Sequence, residues 1–156
     1  MASTVQPYNW SIHAIPAAYL LAFPPYLYQF ARCMTASNYT ATNIVPRTNL
    51  ELLKPKLPNN VWQSLVRARG AHLNALEGFP LFAAAMIAGN YAKLDTREMN
   101  TLAADYLLLR VVYTGLYMTV KSEAASYLRS TVYAASLSVP LYVLWKAGNR
   151  IAADKF

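Results

Sequence analysis

From Ala71 to Ala92 the chain carries one charged side chain, Glu77, and before Arg32 it carries no Lys, Arg, Asp or Glu at all. Few folds accept runs of this kind. A hydrocarbon layer about 30 Å thick is crossed by roughly 20 apolar residues in a helix. Four segments reach that length, at about 12–32, 60–91, 98–121 and 124–147. Composition agrees: 56% of the residues are hydrophobic and 13% charged, where a soluble domain carries about 25% charged residues. The expectation is an all-α integral membrane protein, a single domain over residues 1–156. Short second and third connections make an up-down four-helix bundle the simplest arrangement.

Three prolines, Pro16, Pro24 and Pro25, are expected to kink the first helix, with neighbouring helices or water meeting the freed carbonyls. Residues 34–59 are polar and hold Pro46, Pro55 and Pro58, a loop long enough to cover a site. Asn59 or Asn60 is expected to cap the second helix, and Asp95 or Thr96 the third.

The formal charge is +7, but the basic residues are scattered between apolar runs and form no nucleic-acid footprint. They read instead as flanks of membrane helices. Arg32, Arg47, Lys54, Lys56, Arg67, Arg69, Lys121 and Arg129 fall on the side of the long loop; Lys93, Arg97, Lys146, Arg150 and Lys155 fall on the other. Eight against five sets the long loop in the cytoplasm. The expected residence is the endoplasmic reticulum or another internal membrane. The N-terminal stretch lacks the basic n-region of a signal peptide and is expected to remain in the mature protein. Cys33 is the only cysteine, which leaves no intrachain disulfide and no thiolate cluster for a metal. Packing or S-acylation remains for it.

Charge inside a membrane segment marks a functional site by default. Glu77 and Arg110 fall near mid-depth on antiparallel helices, and the expectation is that they pair, either to clip the helices together or to meet a ligand. At about 100° per residue, Arg67, Gly70, Asn74 and Glu77 share one stripe of the second helix, while Tyr106, Arg110, Tyr113 and Tyr117 share one of the third. Facing each other, the stripes would form a wet, cationic groove rich in hydroxyls and open toward the loop side. Tyr106 is read as packing. Arg69 and His72 point elsewhere, toward headgroups, the first helix or a neighbour's groove, and His13 is read as interfacial. No nucleophile elbow, phosphate loop or histidine pair at metal spacing is present.

The run RARGAHLNALEGFPLF over residues 67–82 resembles the second-helix signature of the MAPEG family, membrane-associated proteins of eicosanoid and glutathione metabolism. Its matching elements are Ala71-His72, Asn74, Glu77, Pro80 and Phe82. Arg110, Tyr113 and Tyr117 resemble the family's R-x-x-Y-x-x-x-Y pattern, and Arg129-Ser130 resembles the Arg-Ser opening the fourth helix in its prostaglandin-synthase branch. The resemblance implies a homotrimer that binds glutathione between subunits on the cytoplasmic side and acts on a lipophilic small-molecule substrate. It implies Asn74, Glu77, Tyr113 and Tyr117 as glutathione contacts, with Arg67, Arg69 and His72 as further candidates. Arg129 would stabilise the thiolate, Arg110 and Tyr117 being the other catalytic candidates. Three features depart from the family: Gly70 stands where glutathione-using branches carry arginine, Gly78 where the leukotriene-conjugating branch carries tyrosine, and the spacing from Tyr117 to Arg129 needs a small gap. Two other readings stay open: a glutathione-independent isomerase or cyclase working through His72, Glu77, Tyr113 or Tyr117, and a non-catalytic lipid-binding or scaffold member.

Overall fold

Pro24 and Pro25 divide the first apolar segment in two. In the computed structural model, which describes residues 7–42, 44 and 46–153, α1 runs Ala14–Leu20 and α2 Phe23–Ala36. Proline has no N–H to donate, so it sits best in the first turn of a helix, where that N–H would have no partner. Pro16 lies in the first turn of α1, and Pro24 and Pro25 in the first turn of α2. The single kinked helix expected over 12–32 is therefore two helices broken at Leu21–Ala22. Past Ala36, Asn38 and Tyr39 turn left-handed, with φ of 51° and 61°. The Tyr39 N–H returns to the Met34 carbonyl at 2.8 Å, a closed helix end.

The long connection is built rather than featureless. Two 3₁₀ turns, Pro46–Thr48 and Lys54–Lys56, flank a short helix α3 (Asn49–Leu53). Asn49 braces it: its side-chain oxygen accepts the Thr42 N–H at 3.2 Å and its amide donates to the Thr42 carbonyl at 2.7 Å. Leu50 and Leu53 then pack on Leu65 and Cys33, so the lone cysteine is buried in a small apolar cluster under this segment. Outside that cluster, Glu51 pairs with Arg69 at 2.6 Å. Backbone hydrogen bonding, with Arg69 adding to it, holds the Glu51 carboxyl below the usual carboxylate range.

Three long helices follow: α4 (Asn59–Tyr91), α5 (Thr96–Thr119) and α6 (Glu123–Ala153). Neither Asn59 nor Asn60 caps α4. Pro58 takes the cap position at ψ 139°, its carbonyl accepts the N–H groups of Val61 and Trp62 at 3.0 Å, and both asparagines are already helical. Asp95 does cap α5, accepting the Glu98 N–H at 2.9 Å. α4 closes with Lys93 at φ 52° and the Leu94 N–H on the Gly89 carbonyl.

Contacts along the helices fix their directions. Gly70 meets Tyr117, Gly78 meets Tyr106 and Arg110, and Gly89 meets Met99, so α4 and α5 run antiparallel. α6 returns along α5, with Tyr133 beside Tyr113 and Lys146 paired with Glu98. α1 and α2 run antiparallel to α4, Ser11 bonding Asn90 near one end and Ala22 bonding His72 further along. The result is an all-helical up-down bundle with no strand among the described residues.

Where four spans were expected, length and composition single out one helix among the described residues, α4, as able to cross a membrane. The break leaves α1 with 7 residues and α2 with 14. α5 dilutes its apolar residues with Arg97, Glu98, Asp105 and Arg110. Lys155, used in the orientation argument, lies outside the described residues.

The main core sits at the end away from the long loop. Phe82, Met86, Met99 and Val143 are fully buried there, against Ala85 and Ala103. Phe82 stacks flat on Tyr106, with ring centroids 3.9 Å apart. Asn9, Ser11 and Asn90 hydrogen-bond to one another, and Asn100 to the backbone at Tyr8 and Trp10, tying the N-terminal segment over this end.

Candidate functional site

Toward the loop end, α4, α5 and α6 separate around a cleft of about 270 Å³ lined by Asn74, Tyr113, Tyr117, Arg129, Ser130 and Tyr133. That volume lies just below the usual range of small-molecule sites, roughly 300–1,000 Å³. Helical spacing delivers the lining. Tyr113 and Tyr117 are one turn apart on α5, and Arg129 and Tyr133 one turn apart on α6.

The tyrosines and arginines form a continuous chain of contacts. The Arg110 guanidinium lies 5.1 Å from the centre of the Tyr113 ring, Tyr113 meets Tyr117 edge-on at 5.6 Å, and the Arg129 guanidinium lies 4.6 Å from the Tyr117 ring centre. Tyr133 closes the far side against Tyr113 at 5.6 Å. Asn74 turns its amide back on its own helix, donating to the Gly70 carbonyl at 2.8 Å, and its side-chain oxygen has no donor among the described residues. The cleft thus offers neutral hydrogen-bonding groups along its walls and one cation, Arg129. This donor set suits a small polar ligand with an anionic group. A guanidinium near a thiol favours its ionised form.

The other anticipated residues lie elsewhere. Arg110 is outside the cleft lining: it is buried at 5% exposure, and its guanidinium donates to the Asn74 carbonyl. The expected pair with Glu77 does not form: Glu77 is exposed and has no ion pair among the described residues. The face of α4 that meets α5 follows Gly70, Asn74 and Gly78, four residues apart. Glu77 lies about 100° of helical rotation away from Gly78. Tyr106 packs as expected, its hydroxyl donating to the Gly78 carbonyl at 3.3 Å.

Arg67 lies near the cleft's loop end without lining it, and its Nε donates to the Met118 carbonyl at 3.2 Å. Arg69 and His72 face the α2 side. His72 Nδ1 bonds the Ala22 carbonyl at 2.8 Å, and its ring lies 5.2 Å from that of Tyr26. Together with Gln29, Arg47, Leu73 and Leu76 they border a second cleft of about 280 Å³. His13, at the other end, is exposed beside Tyr8.

Sequence reasoning missed Tyr133 as a lining residue. The available signal was its place one turn after Arg129. Ser130 is legible in the sequence only as part of the Arg-Ser dipeptide.

Neither the curated proteins nor the solved structures gave a significant match. The family model described as MAPEG family matches residues 13–149, nearly the whole chain. On that span, the chain belongs to the MAPEG family, whose members are membrane-associated proteins of eicosanoid and glutathione metabolism.

Proposed function

We propose that the protein is a membrane-bound, glutathione-dependent transferase, peroxidase or isomerase acting on a lipophilic electrophile. The observation that carries this reading is the single cleft that gathers Asn74, Tyr113, Tyr117 and Arg129, four of the residues singled out by family resemblance. Bound glutathione would supply a thiol nucleophile. Asn74, Tyr113, Tyr117 and Ser130 hold the peptide by hydrogen bonds. Arg129 holds the sulfur as thiolate, by the rule that a nearby cation lowers a thiol's pKa. Arg110 acts from behind Tyr113, and the substrate enters sideways from the bilayer.

In this reading the α1–α2 rod, α4, α5 and α6 all cross the membrane and three subunits associate. Support comes from Glu77, an exposed carboxylate halfway along α4. A charge at that depth is expensive against lipid, and a neighbouring subunit covering it removes the cost. The cleft bordered by Arg69 and His72 would face a neighbour's groove.

The long loop is assigned to the cytoplasm of an internal membrane such as the endoplasmic reticulum. The sequon Asn38-Tyr39-Thr40 is then expected to stay unmodified in a secretory membrane. A glycosidase-sensitive mobility shift that disappears in Asn38→Gln would reverse the orientation.

Calorimetric titration of the detergent-purified protein with glutathione tests the activity reading, and a saturable heat is expected. Silence at saturating glutathione would favour the second reading, a glutathione-independent isomerase or cyclase or a non-catalytic lipid-binding protein. Gly70 is the observation on that side, since it places no cation on α4 where glutathione-using relatives carry arginine.

A further inference from the structure

Gly70 lies on the α4 face that meets α5. A Cβ added there would sit 2.6 Å from the Tyr117 hydroxyl oxygen, 2.7 Å from Cε1 and 2.9 Å from Cζ. The Tyr117 ring therefore occupies the space that any side chain at position 70 would need. The same ring carries the Arg129 guanidinium at 4.6 Å and meets Tyr113 edge-on at 5.6 Å. Both Tyr117 and Arg129 line the cleft. The other glycines set the scale: Gly89, in the sealed core, is equally tight, with Met99 Cε 2.6 Å from an added Cβ, whereas at Gly78 the nearest atom is the Tyr106 hydroxyl at 3.3 Å and at Gly115 nothing lies within 4 Å.

We propose that Gly70 is a positioning residue of the cleft. Its missing side chain lets Tyr117 lie against the α4 backbone, and that seat determines where Arg129 stacks. Contact transmits the constraint: a Cβ at position 70 would push the ring toward the cleft it lines, away from the α4 backbone and from its place against Arg129. Recognition of an anion in this cleft then belongs to α6, through Arg129, and not to α4. A larger residue at position 70 adds its own group only by pushing the phenol, and the cation stacked on it, out of place.

The proposal concerns the cleft's geometry, and it rests on the glutathione reading only for its effect on ligand. Its test uses full-length protein in detergent, labelled with fluorotyrosine and followed by fluorine NMR. The resonance lost in Tyr117→Phe identifies Tyr117. That resonance is expected to shift in both Arg129→Ala and Gly70→Ala and to stay in place in Gly115→Ala. An unmoved Tyr117 resonance in Gly70→Ala overturns the proposal. Should Gly70→Ala fold poorly, Gly70→Ala combined with Tyr117→Ala relieves the clash and is expected to melt above Gly70→Ala alone; no recovery overturns it equally.

With glutathione added, Gly70→Ala is expected to lose thiolate absorbance as Arg129→Ala does. A displaced Tyr117 with the thiolate fraction unchanged would break the link to Arg129. If wild-type protein binds no glutathione, the fluorine measurement still decides the proposal on its own.

Discussion

The three long helices of this protein behave differently at their two ends. Away from the long loop, α4, α5 and α6 close through Phe82, Met86, Met99 and Val143, all fully buried. Toward the loop the same helices part around Asn74, Tyr113, Tyr117, Arg129 and Tyr133. Small and apolar residues at the first end let backbones approach, as where Gly89 receives Met99 and Val143. Tyrosines and arginines at the second end are too large and too polar to fill the same space, so they line a cleft instead. Stability and recognition are thus assigned to opposite ends of one bundle, and substitutions should separate them.

The largest effect should come from the closed end. Phe82→Ala removes a fully buried ring stacked on Tyr106 and is expected to cost about 3–5 kcal/mol. Arg129→Ala, in the open cleft, should stay within about 0.5 kcal/mol of wild type. Denaturation in detergent measures both, and equal losses would break the comparison. An intermediate effect is expected at Arg110, which sits at the boundary. Arg110→Met leaves the Asn74 carbonyl without its second donor, at a cost of about 1–3 kcal/mol. Because Glu77 and Arg110 form no ion pair, adding Glu77→Gln should change stability additively, within about 0.5 kcal/mol. A larger coupling would mean that the two side chains meet after all. A modest stabilising effect tests the turn that closes the sealed end. Lys93 adopts φ 52°, so Lys93→Gly should stabilise by roughly 1 kcal/mol, raising the melting temperature without altering ligand binding.

Much of this arrangement was legible in the sequence, for reasons that can be named. Long uncharged runs located α4 and the apolar segment that holds α1 and α2, and Asp95 announced the start of α5. Helical spacing placed Tyr113 and Tyr117 on one face, and that needs nothing beyond 3.6 residues per turn. The failures share a cause. Pairing Glu77 with Arg110 took similar depth for contact, whereas rotation about α4 decides which side chains reach α5, and glycines at positions 70 and 78 set that face. The break between α1 and α2 was hidden because prolines read as kinks inside a helix also serve as starts of a new one. The helix within the long connection depends on Leu50 and Leu53 finding Leu65 and Cys33 across the chain, a tertiary contact with no local signal. Tyr133 needed the cleft before its position meant anything.

The central claim is that the open end of the bundle binds glutathione and that Arg129 ionises its thiol. A thiolate absorbs near the ultraviolet edge where a thiol does not, so difference spectra recorded while glutathione is added read the ionised fraction directly. At neutral pH the wild type is expected to hold the bound thiol largely as thiolate. Arg129→Ala should bind glutathione with modestly reduced affinity and show much less thiolate, because the peptide contacts of Asn74 and Tyr113 survive while the cation is gone. Strongly weakened binding, with the bound thiol still ionised at saturation, would make Arg129 an anchor and pass the activating role to Arg110. Neither a heat nor a spectral change from wild-type protein at saturating glutathione would contradict the claim outright.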